Sequence, residues 1–89
     1  MIVTIEISHY PLQNDYEGPV IDFIAQLKSR EELVVKTTAM STYVKGEMGQ
    51  VFSAIQHIIE GQSSSLPLSA TIFKLIPRDL PIEAGYLDF

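Results

Sequence analysis

The stretch Ile2-Val3-Thr4-Ile5-Glu6-Ile7-Ser8-His9 alternates in polarity, with Val3, Ile5 and Ile7 on one side and Thr4, Glu6 and Ser8 on the other. A period of two built on β-branched residues is the pattern of a strand with one buried face. Tyr10-Pro11 is expected to end that strand, because proline has no N–H to give to a ladder. Downstream, Val20, Phe23, Ile24 and Leu27 recur at i, i+3, i+4 and i+7, the spacing of one apolar helix stripe. Gly18-Pro19 suits the start of this helix, with proline at the first helical position. Asp15 and Glu17 lie near its positive end, and Lys28 and Arg30 near its negative end.

Residues 33–38 and 41–45 read as two further strands, with Ala39 and Met40 between them. Gly46 is expected to cap a second helix with Glu47 in its first turn. Met48, Val51, Phe52, Ile55 and Ile59 would form its buried face, Ile58 lying beside it, and Gly61 would end it. Residues 68–76 make the last strand, closed by Pro77, and residues 79–89 an irregular tail. The order is β-α-β-β-α-β. Two helices on one face of a four-stranded antiparallel sheet is the ferredoxin-like α+β sandwich, here as a single domain over residues 1–89.

Composition narrows the function. The 89 residues are 46% apolar and 19% charged, enough for a core and too few charges for a disordered chain. There is no cysteine, so disulfides, thiolate metal sites and cysteine nucleophiles are excluded. Six Lys/Arg against eleven Asp/Glu, a formal net charge of -5, argues against a phosphate-tracking nucleic-acid surface. No apolar run reaches the length of a membrane span, and the N-terminus lacks the pattern of a signal peptide; the expected location is the cytoplasm. In the last strand Leu68, Ala70 and Ile72 point one way and Thr71, Phe73 and Leu75 the other, so both faces are apolar. Two helices cover one face only, which predicts that another subunit covers the second, as a homodimer or a dimer of dimers.

The segments Glu6-Ile7-Ser8-His9-Tyr10-Pro11-Leu12, Thr38-Ala39-Met40-Ser41-Thr42, Gly46-Glu47 and Lys74-Leu75-Ile76-Pro77-Arg78, with the spacing between them, resemble the YkoF-like thiamine-binding protein family. The likeness runs from the first strand to about Asp79. It implies a ferredoxin-like fold, sheet-to-sheet pairing into dimers and often tetramers, and binding of thiamine or its hydroxymethylpyrimidine part with no reaction attached. The chain departs from the family pattern at Ser41, where glycine is frequent, and at Lys45, where an acid is frequent. Lys45 would bring positive charge near the expected site.

An aminopyrimidine needs a flat slot, hydroxyl or carboxylate partners and an aromatic wall. Glu6 and Ser8 share a strand face, Tyr10 stands at the mouth of that strand, and Thr38, Ser41 and Thr42 lie at the corner of the second and third strands. Glu47 follows at the start of the second helix. These seven are the candidate ligand-binding residues, with Glu6 as the charged partner. Each also has a plainer role: Glu47 as a helix N-terminal acid, Ser41 as a turn former, Tyr10 as a packing partner of Tyr16. No cofactor, metal site or catalytic residue is expected. His9 and His57 lack metal-ligand spacing, and no Gly-rich phosphate loop or nucleophile elbow is present. An oligomeric structural or regulatory module without a small ligand is the alternative. A small dimeric enzyme ranks last, because only Glu6 or His9 could serve as its acid or base.

Overall fold

A computed structural model describes residues 1–84; the part of the expected tail at 85–89 lies outside the described residues. Strand β1 is Ile2–Pro11, helix α1 Glu17–Lys28, strand β2 Val34–Thr37, strand β3 Thr42–Glu47, helix α2 Met48–Ser63 and strand β4 Ser69–Ile76. The sheet order is β2-β3-β1-β4 and every neighbouring pair is antiparallel. Both helices lie against one face. The chain has the ferredoxin-like fold expected of its sequence.

The core follows from the alternation in β1. Val3, Ile5 and Ile7 are buried against Phe23 and Leu27 of α1 and Val51, Ala54, Ile55 and Ile58 of α2. Each of these side chains larger than alanine contributes about 1.5–3 kcal/mol on leaving water. Strand β1 ends at Pro11, as expected, with Pro11 itself the last paired residue, opposite Ser69. The N–H of Leu12 donates to the carbonyl of Leu68 at 3.0 Å, so even-numbered residues of β1 turn their main-chain groups toward β4 and odd-numbered ones toward β3. The N–H that Pro11 lacks would therefore face the β3 side, and β3 has stopped at Thr42 opposite Ile7.

The helix ends differ from the expected ones. Helix α1 begins at Glu17, after Tyr16, and Gly18 and Pro19 lie inside its first turn, where a missing N–H leaves no helical bond unmade. The N-cap of α2 is Glu47, whose carboxylate accepts from the N–H of Gln50 at 3.2 Å. Gly46 belongs to β3 instead. A Cβ there would lie 2.7 Å from Leu33 Cδ2, so a larger residue at this strand position would have to displace the Leu33 side chain. Helix α2 continues past Gly61 to Ser63, and its buried stripe is Val51, Ala54, Ile55, Ile58 and Gln62. Met48 and Phe52, expected inside, are on the surface.

The pairing also sorts β4. Ile5 faces Leu75, Ile7 faces Phe73 and His9 faces Thr71, which puts those β4 residues on the helix side. Phe73 packs edge-on against Phe52 of α2, ring centroids 5.9 Å apart. Ala70, Ile72, Lys74 and Ile76 share the other, open face with Thr4, Glu6, Ser8 and Tyr10. Part of that face is covered by the chain itself. The Thr4 hydroxyl donates to the Arg78 carbonyl at 2.8 Å and accepts from the Leu80 N–H at 3.1 Å, and a short 3-10 turn follows at Ile82–Ala84.

Candidate functional site

The early end of β3 opens a gap beside the last residues of β1. Residues 38–41 form the turn between β2 and β3, and they stand off from His9 and Tyr10. The resulting cleft has a volume of about 200 Å³. Val20, Phe23 and Ile24 of α1 form one wall and the turn, including Ala39 and Met40, the other. Because β1 has no β3 neighbour here, residues from both of its faces border the gap.

Five of the seven expected residues, Ser8, Tyr10, Thr38, Ser41 and Thr42, line this cleft. Their hydroxyls are unequally free. Thr38 Oγ1 accepts from the N–H groups of Met40 and Ser41 and donates to the Ser41 carbonyl, all at 3.2 Å, so it shapes the turn. Ser41 Oγ donates to the Ile7 carbonyl at 3.3 Å and lies 3.4 Å from Ser8 Oγ, tying the turn to β1. Thr42 Oγ1 pairs with Thr37 Oγ1 at 3.3 Å. The Tyr10 side chain is half exposed at the mouth.

His9 forms the floor, a part that sequence reasoning treated only as a weak metal or acid-base candidate. Its ring stacks on Phe23 with centroids 4.4 Å apart. Nδ1 lies 2.9 Å from Thr71 Oγ1 and Nε2 2.9 Å from Gln62 Oε1. Gln62 Nε2 donates to the Pro19 carbonyl and to Asp22 Oδ2, each at 2.9 Å. Pro19 O can only accept, so the amide orientation is fixed and Oε1 faces His9. The neutral ring therefore carries its proton on Nε2, and Nδ1 accepts from Thr71. Burial holds the His9 pKa below its ordinary value, opposed by the hydrogen bond that the ring donates to Gln62. Asp22 is held below the usual carboxylate value by the donors of Gln62 and then Gln26. The signal for this network in the sequence was slight: one glutamine at a helical spacing, i+4 from Ile58, on the buried stripe of α2.

Residues 2–72 match the sequence model of the YKOF-related family. The chain belongs to the YKOF-related family. Solved structures share its fold. A protein of Streptococcus pneumoniae superposes with a TM-score of 0.81 at 18% identity, covering 96% of this chain and 97% of that one. A candidate thiamine biosynthesis/salvage protein of Thermotoga maritima gives 0.79 at 14% identity, covering 99% and 90%. A hypothetical protein of Methanocaldococcus jannascii gives 0.76 at 22% identity, covering 88% and 81%. At these identities the likeness is one of fold. A search of curated proteins finds no match.

Two expected residues of this YKOF-related chain lie away from the cleft. Glu6 is on the open face, 3.7 Å from Lys74, and is not among the cleft-lining residues. Glu47 caps α2 at the opposite end of β3, opposite Ile2. Lys45, expected near the site, is at that far end too. Its Nζ is 2.7 Å from Asp79, 2.6 Å from Glu83 and 2.9 Å from the Leu80 carbonyl. Hydrogen bonds to Asp79 and then Glu83 raise its pKa, and Lys45 in turn lowers that of Glu83. Among the described residues no acidic or basic side chain except the imidazole of His9 and the phenol of Tyr10 borders the cleft. Among the described residues no three His, Asp or Glu side chains gather as metal ligands, and no helix is long and apolar enough to cross a membrane.

Proposed function

We propose that the cleft binds the hydroxymethylpyrimidine part of thiamine, as a binding protein with no reaction of its own. The observation that carries this reading is the convergence of Ser8, Tyr10, Ser41 and Thr42 on one gap with apolar walls. Its size favours a single ring. Pockets for drug-sized ligands run from roughly 300 to 1,000 Å³, and this cleft has about 200 Å³. Its uncharged lining favours the pyrimidine over the cationic thiazolium. Family membership and the likeness to the Thermotoga maritima protein support the same ligand class.

Calorimetry with hydroxymethylpyrimidine and with thiamine tests the proposal. Thr42→Val should weaken binding by about fivefold, the worth of one hydrogen bond. Glu6→Ala should leave affinity unchanged, since Glu6 pairs with Lys74 outside the cleft. Absence of binding by the unaltered protein at millimolar hydroxymethylpyrimidine would remove this ligand.

The open sheet face supports a second role alongside the first, self-association through a second copy. Tyr10, Leu68 and Ile72 are 50%, 62% and 63% exposed, an apolar run left open among the described residues.

A further inference from the structure

The main chain of His9 is unpaired on the cleft side. As an odd-numbered residue of β1 it turns its N–H and C=O toward β3, as Met1 does in accepting from the N–H of Met48 at 3.0 Å. The ladder with β3 reaches Ile7 opposite Thr42 and stops. The next position along it would be Met40, but residues 38–41 close on themselves, with the Thr38 N–H donating to the Ser41 carbonyl at 2.8 Å. Neither main-chain group of His9 has a partner on that side among the described residues. His9 as a whole is 9% exposed, and it lines the cleft. A main-chain donor and acceptor without partners are costly where water is scarce.

In an extended strand the N–H and C=O of one residue point the same way, side by side. Their complement is an acceptor beside a donor in one plane. We infer that the His9 main chain reads a heteroaromatic ring carrying a ring nitrogen next to an exocyclic amine, the ring nitrogen accepting from His9 N–H and the amine donating to His9 C=O. This rests on the cleft being a ligand site and names the chemical feature the site selects. The side-chain network serves that reading. Thr71, Gln62 and the stacked Phe23 hold the imidazole from three directions, so the strand edge is presented in one orientation. Both ring nitrogens being engaged, selection falls to the main chain and not to the imidazole.

The test uses 15N-labelled protein and small probes. 4-Aminopyrimidine has both features, 4-methylpyrimidine lacks the amine, and aniline lacks the ring nitrogen. Saturation with 4-aminopyrimidine should move the His9 amide proton downfield and slow its exchange with solvent. The other two probes should bind weaker by on the order of tenfold or more. Saturation with the His9 amide unmoved, equal affinity for all three probes, or no binding of 4-aminopyrimidine at millimolar concentration would each overturn the inference. Hydroxymethylpyrimidine, as a fourth arm, separates the two proposals. If 4-aminopyrimidine engages His9 and hydroxymethylpyrimidine does not bind, the ligand proposed above falls and the edge reading stands. If hydroxymethylpyrimidine binds without perturbing the His9 amide, the edge reading falls and the ligand stands.

Discussion

His9 and Gln62 show how one polar pair can set both a site and a stability. Gln62 is buried and its side chain makes three hydrogen bonds, to His9, Pro19 and Asp22, joining β1, α1 and α2. Gln62→Leu keeps the bulk but leaves the His9 Nε2–H without its acceptor. The expected cost is about 1–3 kcal/mol, the penalty of a buried unsatisfied donor, measured by urea unfolding. The same variant should lower the His9 pKa further, because the hydrogen bond that opposes desolvation is gone; an NMR titration reads this directly. In the unaltered protein the depressed pKa makes stability depend on pH. Above the ordinary value of 6.5 the ring is neutral folded or unfolded, and its contribution is complete. As pH falls below 6.5 the unfolded chain takes up the proton first, and stability declines until the folded ring also protonates, by at most about 1.4 kcal/mol per pH unit. A flat unfolding free energy between pH 7 and pH 5 would contradict this.

At the scale of elements, the strands were legible in the sequence and the helix faces only in part. Alternation in β1 has one solution, since a shift by one residue would expose Val3, Ile5 and Ile7 together. Helix α2 has two apolar stripes close in angle. Choosing between them depends on the small Ala54 and the polar Gln62, whose burial comes from tertiary partners that the local pattern does not contain. The same limit explains Glu47, expected in the first turn of α2 but found as its N-cap, and whose distance from the cleft follows from strand register. The tail is the other surprise, because residues without periodicity still find a binding surface. Lys45 and Thr4 hold it, yet Asp79 and Glu83 are more than half exposed, so their ion pairs add little to global stability. Lys45→Met should therefore leave the melting temperature nearly unchanged while hydrogen exchange at the Leu80 N–H accelerates. Unchanged exchange there would show that Thr4 alone holds the tail.

For the whole molecule, the open face fixes which substitutions report on assembly. The two-sided apolar character of β4 motivates a second copy, and register identifies its outward side chain as Ile72, while Phe73 packs toward Phe52. Ile72→Asp should shift a dimer or tetramer toward monomer in sedimentation at micromolar concentration, with folding intact. Phe73→Asp should lower stability, because it places a charge against the Phe52 ring. A monomeric unaltered protein would end the assembly proposal. The position of β1 also has a kinetic consequence. It is one of the two central strands, but its partners β3 and β4 come from distant parts of the chain, and Thr4 bonds to groups 74 and 76 positions away. Among the described strands, only β2 and β3 are both neighbours in sequence and paired. Much of the loop-closure entropy must be spent before the middle of the sheet gains contacts, so refolding should be slower than that of a helical bundle of this length. The local β2–β3 hairpin is then the natural early structure, and the clasp between β1 and the tail is among the last contacts to close.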